Sequence, residues 1–458
     1  MTTRAKVFIA TAAFLSTALV LIHYPGSMSN DSYGHLYQGR TGVYWDYQPP
    51  AISVLFGFLD RIHPGPALLL ALDVCLCVWG ACGIIFWLGA SPAWSAALCA
   101  LLFAYPPNSV ILGMIWRDIT GLGTFLVALW LLILGTRAGR PWAKRACFTG
   151  SALFIFCGLL LRANAAASAW PCAAALFFFV LSRPRAWPRR AAAAVGLGFV
   201  ALLLAVPVAG GINSSVITHR VYSLQVPVNN HLARLSVRMQ ENLFPKERFP
   251  SLTLGDLRNL DRKYPLPDGL YQFLWTAYYD RSDARFPRLD EKGLEILKGK
   301  ALKALVEHPA ESLAIRTETM GYLLHAPPWS GFGTYGINVR TLRKLGLKVD
   351  FETRGFKTAR TCVDAVSAFS RLHLPLAPVW YVGACATALL AAFLATKRLW
   401  RVEALLVAAA LLHLVSVILV VSHWEFRWGH QSIFLCSLAL CLMIQRGVAG
   451  RRAADRLP

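Results

Sequence analysis

Asp31, His35, Arg40 and Asp46 fall in one short stretch, NDSYGHLYQGRTGVYWDYQPP, which covers residues 30–50. An ionised carboxylate can act as a general base, and an arginine grips a phosphate through its forked N–H groups. Three other short stretches combine the same residue types. They are Trp116-Arg117-Asp118, Leu161-Arg162-Ala163-Asn164, and SHWEFRWGHQ at 422–431, which holds Glu425, Arg427 and His430. A base with several guanidinium groups is what transfer from a lipid phosphate requires. The carboxylate takes the proton of an attacking hydroxyl, and the arginines hold the phosphate and stabilise charge on the leaving group. Each residue also has a plainer reading. Asp31 suits a helix cap, and Asp46 suits an interface belt of aromatics. Arg117 with Asp118, and Glu425 with Arg427, suit local ion pairs, while Arg162 suits a side chain snorkelling to the headgroups.

The composition decides what must carry these residues. The chain has 458 residues, is 56% hydrophobic and 15% charged, and has a mean hydropathy of +0.48. Soluble domains are roughly 25% charged, so the sequence belongs to the membrane class. Its net charge of +22 sits mainly at the ends of apolar runs, which marks topology and not nucleic-acid binding.

About ten runs reach or approach the length needed to span roughly 30 Å of hydrocarbon. They lie at 7–23, 66–88, 92–105, 119–135, 146–161, 165–181, 191–210, 376–395, 402–421 and 431–444. No small-residue cleavage site follows the first run, where Tyr24-Pro25-Gly26-Ser27 comes next, so it reads as an uncleaved span. Basic residues concentrate on alternate connections: Arg4 and Lys6; Arg137, Arg140, Lys144 and Arg145; Arg183 to Arg190; Lys397 to Arg401; and the tail from Arg446. Positive-inside therefore places both termini inside, and an even number of spans satisfies it.

The fold class expected is an all-α polytopic membrane protein of about ten spans, with a mainly helical extracytoplasmic insertion between spans seven and eight. Residues 1–210 form an N-terminal membrane domain whose first outer loop is 24–65. Residues 211–375 form the insertion, and 376–458 a C-terminal membrane domain with a basic tail. In the insertion, 291–306 and 310–324 read as helices, with Leu294, Ile296, Leu297, Leu302, Leu305 and Val306 as the apolar face. Residues 51–62 suit an interfacial helix that turns Asp60 and Arg61 to water. All four polar clusters then lie at outer ends. Asp73 and His413 fall inside spans and suit bundle contacts. Of the cysteines only Cys362 lies in a polar stretch, and no disulfide framework is readable. The histidines lack metal-ligand spacing, which supports no metal or other cofactor. A divalent cation held by carboxylates stays open.

An aspartate just beyond the first span, followed by an aromatic loop ending in QPP, resembles the GT-C superfamily of membrane glycosyltransferases. WRD at 116–118, LRAN at 161–164, VEHPAESLAIR at 306–316 and EFRW at 425–428 resemble poorly characterised bacterial members in the same order. The resemblance implies a polyprenyl-phosphate-sugar donor, a glycan, lipid or protein acceptor, and inversion at the anomeric centre. It implies a bacterial inner-membrane location with the site facing the periplasm or exterior. It makes Asp31 the base and Asp46 the candidate second acid, although the paired-acid motif of many relatives is absent here. It makes Arg117, Arg162 and Arg427 candidate phosphate or sugar ligands, and the polar clusters themselves add His35, Arg40, Asp118, Asn164, Glu425 and His430 as candidate substrate-binding residues. A lipid-linked sugar flippase, an oligosaccharide ligase or polymerase, and a non-catalytic assembly subunit are the alternatives.

The topology makes a direct prediction. Single cysteines at 144 and 398 stay unlabelled by an impermeant maleimide in intact cells, while cysteines at 31 and 300 are labelled. Labelling at 144 without labelling at 300 inverts the assignment.

Overall fold

The computed structural model describes every residue except 47, 90, 163–164, 181–186, 223, 265–266, 281–282, 326–360, 362–377, 397–400, 421–425 and 455–458. The first helices are α1 (Thr3–His23), α2 (Asn30–Thr41), α3 (Ala51–Ile62), α4 (Ala67–Leu88), α5 (Pro92–Ala104) and α6 (Pro106–Leu112). Then come α7 (Arg117–Arg137), α8 (Pro141–Leu161), α9 (Ala165–Val180) and α10 (Trp187–Val216). The polar insertion supplies α11 (Gln225–Met239), α12 (Leu254–Lys263), α13 (Pro267–Asp280), α14 (Glu291–Glu307) and α15 (Pro309–His325). The chain closes with α16 (Pro378–Thr396), α17 (Arg401–Val420) and α18 (Phe426–Ala454).

Among the described residues, five helices are long and apolar enough to cross a membrane: α1, α4, α7, α8 and the 192–216 part of α10. By length and composition they mark the chain as an integral membrane protein. Shorter apolar stretches lie in α5, α9, α16, α17 and α18. Helix α4 packs between α1 and α7, α7 continues onto α8, and α9 joins α10 to α17. The core is densest in α4 and α7, where Val74, Val78, Ile84, Ile119, Leu122 and Leu126 are wholly buried.

The helices of the insertion have a core of their own. Phe244, Phe249 and Phe286 meet edge to face at its centre, with Leu232, Leu235, Leu257 and Leu297 around them. Helix α15 also packs against α16, α17 and α18. The apolar face expected on α14 is half right. Leu294 and Leu297 are buried, but Leu302, Leu305 and Val306 are exposed, because the helix turns its second half away from α11 and buries only Ala304 there. Cys362 lies outside the described residues.

The opening polar stretch folds as a helix that the reading of 24–65 as a loop does not anticipate. Ser29 and Ser32 form a reciprocal capping box at the start of α2, and Gly42 in the left-handed region (φ 69°) ends it. Asp60 also departs from expectation: it turns inward. Arg40 forks onto it, Nε to Oδ2 and Nη2 to Oδ1, both at 2.7 Å, and the Gly65 N–H donates to Oδ1 at 2.7 Å. A carboxylate so well supplied with donors gains more there than in water, and α3 instead exposes the apolar Val54, Phe58 and Ile62. Burial would raise the Asp60 pKa, but the Arg40 and Gly65 hydrogen bonds outweigh it and hold it below the ordinary value.

Two glycines let α2 and α3 cross closely. A Cβ on Gly39 would meet the Ser53 carbonyl oxygen at 2.6 Å and Gly57 Cα at 2.7 Å, both backbone atoms. A Cβ on Gly34, on the same helix, would meet nothing within 4 Å. Gly39→Ala is therefore expected to destabilise by about 1–3 kcal/mol through overpacking, while Gly34→Ala is neutral or mildly stabilising. Thermal unfolding in detergent checks it, and equal melting of the two variants would contradict the close crossing.

Candidate active site at the ends of α2, α7 and α8

Three of the four polar stretches meet through named contacts. The segment after α1 is tied to the segment before α7 by Ser27 N–H to the Gly113 carbonyl and Ile115 N–H to the Ser27 carbonyl, each 2.8 Å. The Ser32 hydroxyl donates to the Ile115 carbonyl at 2.5 Å, and the Trp116 indole donates to Ser29 Oγ at 2.9 Å. The same serines that cap α2 thus fix the first turn of α7 beside it. Asp31 and Arg117 are the neighbouring charged residues of those two turns, and both are half-buried.

Arg162 ends α8 in extended backbone and starts the turn to α9, its own carbonyl accepting from the Ala165 N–H at 3.0 Å. Its guanidinium reaches Asp118 at 2.5 Å, with both side chains about 95% buried. Nothing in that apolar setting could solvate either charge alone, so each makes the other tolerable. Beside the pair is a space of about 20 Å³, lined in part by Ser168 and Gln431. It has room for a water-sized group and not for a sugar. Gln431, near the start of α18, donates to Ser168 Oγ at 3.2 Å, and so brings the fourth stretch to the same place.

His35 is on α2, one turn beyond Asp31. Its Nδ1 is 2.8 Å from Ser53 Oγ, and the residue is 4% exposed. Its pKa is pushed down to about 4: burial and the Arg117 charge outweigh Asp31, Gln48 and Asp118, which act in the opposite direction. The ring is neutral at pH 7 and lies within electrostatic reach of Asp31, Arg117 and Asp118 together.

The remaining expected residues lie elsewhere or beyond description. Arg40 is bound to Asp60 as above. Asp46 accepts hydrogen bonds from the backbone N–H groups of Val221 (2.7 Å) and Tyr222 (3.4 Å). With Tyr44 and Thr218 (2.8 Å) it fastens the opening loop to the chain leaving α10. Asn164 and Glu425 lie outside the described residues. Arg427 and His430 are on α18, but their side chains are not among those described. Asp73 and His413 are wholly buried inside α4 and α17. Sequence reasoning missed Ser53, Gln48, Ser168 and Gln431. The first two are polar residues in an otherwise apolar or aromatic context, the only signal they give. Among the described residues no group of three His, Cys, Asp or Glu is placed to hold a metal.

Opposite this site is a larger, apolar cavity of about 480 Å³, among the other ends of α7, α9, α10 and α17. Arg137 is the charged residue on its wall.

No protein-family model and no curated protein matches the chain. Among solved structures it is similar to ArnT from Cupriavidus metallidurans bound to undecaprenyl phosphate. The identity is 13% and the TM-score 0.33, over 99% of this chain and 81% of that one. A likeness of that degree carries no argument about this chain's activity.

The ion pair gives the prediction here. Arg162→Ala removes the cation from a buried Asp118 and is expected to cost about 3–5 kcal/mol. The double variant Asp118→Asn, Arg162→Met is expected to recover most of that loss. Unfolding in detergent measures both, and a double variant no more stable than Arg162→Ala would contradict the pairing.

Proposed function

We propose that the chain is a membrane glycosyltransferase of the GT-C type, acting at its outer face on a polyprenyl-phosphate-linked sugar. The observation that carries the reading is that the hydrogen-bonded first turns of α2 and α7 carry Asp31 and Arg117, with the Asp118–Arg162 pair at the start of the same α7. Asp118 and Arg162 are paired with each other, whereas Arg117 makes no ion pair among the described residues. Asp31 and Arg117 are both half-buried, on the first turns of α2 and α7 that the Ser29, Ser32 and Trp116 hydrogen bonds tie together.

In the proposed reaction the acceptor hydroxyl gives its proton to the Asp31 carboxylate as its oxygen attacks the anomeric carbon. The new glycosidic bond forms as the bond from that carbon to the phosphate oxygen breaks, on the opposite face. The electron pair leaves with the polyprenyl phosphate, whose charge Arg117 stabilises, aided by the backbone N–H groups at the start of α7. The configuration inverts. Asp46, held by two backbone N–H groups, is assigned a structural part, so Asp31 is the base. The acceptor is a glycan, lipid or protein on the outer side, and the enzyme belongs to a bacterial inner membrane.

The apolar cavity beside Arg137 favours a second reading, a carrier that loads a lipid tail from the other side and moves its head across. Turnover separates the two. Purified protein given undecaprenyl-phosphate sugars and a crude envelope glycan extract should release undecaprenyl phosphate. Asp31→Asn should lower that release by about 10²–10⁴-fold while leaving lipid binding intact. Full activity in Asp31→Asn would remove Asp31 from the chemistry, and lipid movement in vesicles without turnover would establish the carrier.

A further inference from the structure

We propose that the apolar cavity at the Arg137 end of the bundle holds one acyl chain of an anionic glycerophospholipid, whose phosphate rests on Arg137. This lipid site is separate from the proposed transfer site and stands without the transferase reading.

The space is large and its wall is apolar. It measures about 480 Å³ and is lined by α7, α9, α10 and α17, with Leu88 of α4. Leu132, Phe178 and Leu405 give it apolar faces, and Ala175, Ala194 and Ala408 are the small residues that leave it room. Packed interiors keep few voids larger than a water molecule, so a space of this size between membrane helices is one that lipid fills. Val195, on its wall, is exposed, as are Phe199 and Val200 further along α10. The cavity therefore communicates with a helix surface that in a membrane faces lipid. Taking a methylene as the size of a water, roughly 30 Å³, the space accepts on the order of sixteen. That is one fatty-acyl chain, and well short of a whole undecaprenyl tail.

The polar end of the wall selects the headgroup. Thr136 and Arg137 line it there. The Thr136 hydroxyl already donates to the Ile133 carbonyl, which leaves Arg137 to receive an anion. One N–H of its guanidinium goes to the Trp87 carbonyl near the end of α4. This steadies the side chain and leaves further N–H groups for phosphate oxygens. No carboxylate competes for it. From 119 to 240 the sequence holds no Asp or Glu, and Glu403, between the wall residues Val402 and Ala404, is buried and paired with Arg446 at 2.5 Å. Arg140, Lys144 and Arg145 follow Arg137, all exposed, with the exposed Trp142 among them. On the positive-inside assignment this end meets the cytoplasmic leaflet, where a basic cluster beside an interfacial aromatic favours anionic lipid over zwitterionic.

Lipid retention by the purified full chain, read by native mass spectrometry, tests it. The probes are dioleoyl phosphatidylglycerol, dioleoyl phosphatidylethanolamine and undecaprenyl phosphate. Wild type should retain phosphatidylglycerol in preference to phosphatidylethanolamine. Arg137→Gln should weaken phosphatidylglycerol by about tenfold, as expected for lost charge-assisted hydrogen bonds. Ala175→Phe, which fills the space and keeps the charge, should weaken it at least as much. Ala408→Phe, on α17, serves as a second filling variant should Ala175→Phe fold poorly. Equal retention of the two phospholipids, or phosphatidylglycerol retention that survives the substitutions, would overturn the proposal and leave the transferase reading as it stands. Undecaprenyl phosphate lost from these variants in place of phosphatidylglycerol would overturn it and give the cavity to the carrier reading.

Discussion

A charge within or at the edge of hydrocarbon has no water to solvate it, and the ends of α2, α7 and α8 that meet in this protein are arranged around that fact. Asp118 begins α7 and Arg162 ends α8, and the 2.5 Å contact between them joins those two ends in a setting where neither could stay charged alone. Because α7 is fixed there, its first turn can be tied sideways to α2 through Trp116, Ser29, Ser32 and Ile115. That second tie sets Arg117 and Asp31 beside the same buried histidine.

The charged residues divide into those the fold uses and those it leaves. Arg40 with Asp60 locks α2 to α3, and Asp46 with the Val221 and Tyr222 amides fastens the opening loop to the chain beyond α10. Glu403 with Arg446, at 2.5 Å, joins α17 to α18. Asn213 does the same with uncharged groups, donating to the Leu160 carbonyl and accepting from the Ala51 N–H. Each satisfied pair rigidifies the frame and takes its members out of contention for chemistry.

Much of the frame was legible in the sequence because bilayer thickness and helix rise set a length that apolar runs must approach. Helices such as Ala67–Leu88 and Ala165–Val180 fall within a few residues of the expected runs. The arrangement of the polar stretch was not legible. NDSYGHLYQGRT has almost no apolar periodicity, and α2 forms because a serine capping box starts it and Gly39 against Gly57 gives it a seat on α3. Local spacing likewise paired Arg117 with Asp118 and turned Asp60 to water. The actual partners, Arg162 for Asp118 and Arg40 for Asp60, stand far along the chain or across a helix crossing. Ser53 and Ser168 stood out little, and Gln48 and Gln431, though inside stretches singled out in the sequence, were not separable from their neighbours, because an isolated polar residue acquires meaning only from what packs on it. The clustering of Asp31, His35, Arg117, Asp118 and Arg162 was suggested by their common side of the membrane. The contacts that tie Arg40, Asp46 and Asp60 into the frame came from the fold.

The central claim is that the outer ends of α2 and α7 form the place where a lipid phosphate is held. The most direct measurement is an experimental structure of the chain with undecaprenyl phosphate bound. The account expects the phosphate against Arg117, within reach of Asp31 and next to His35, with the Asp118–Arg162 pair intact. A phosphate seated instead at Arg137, with its tail in the apolar cavity at the opposite end, would contradict it.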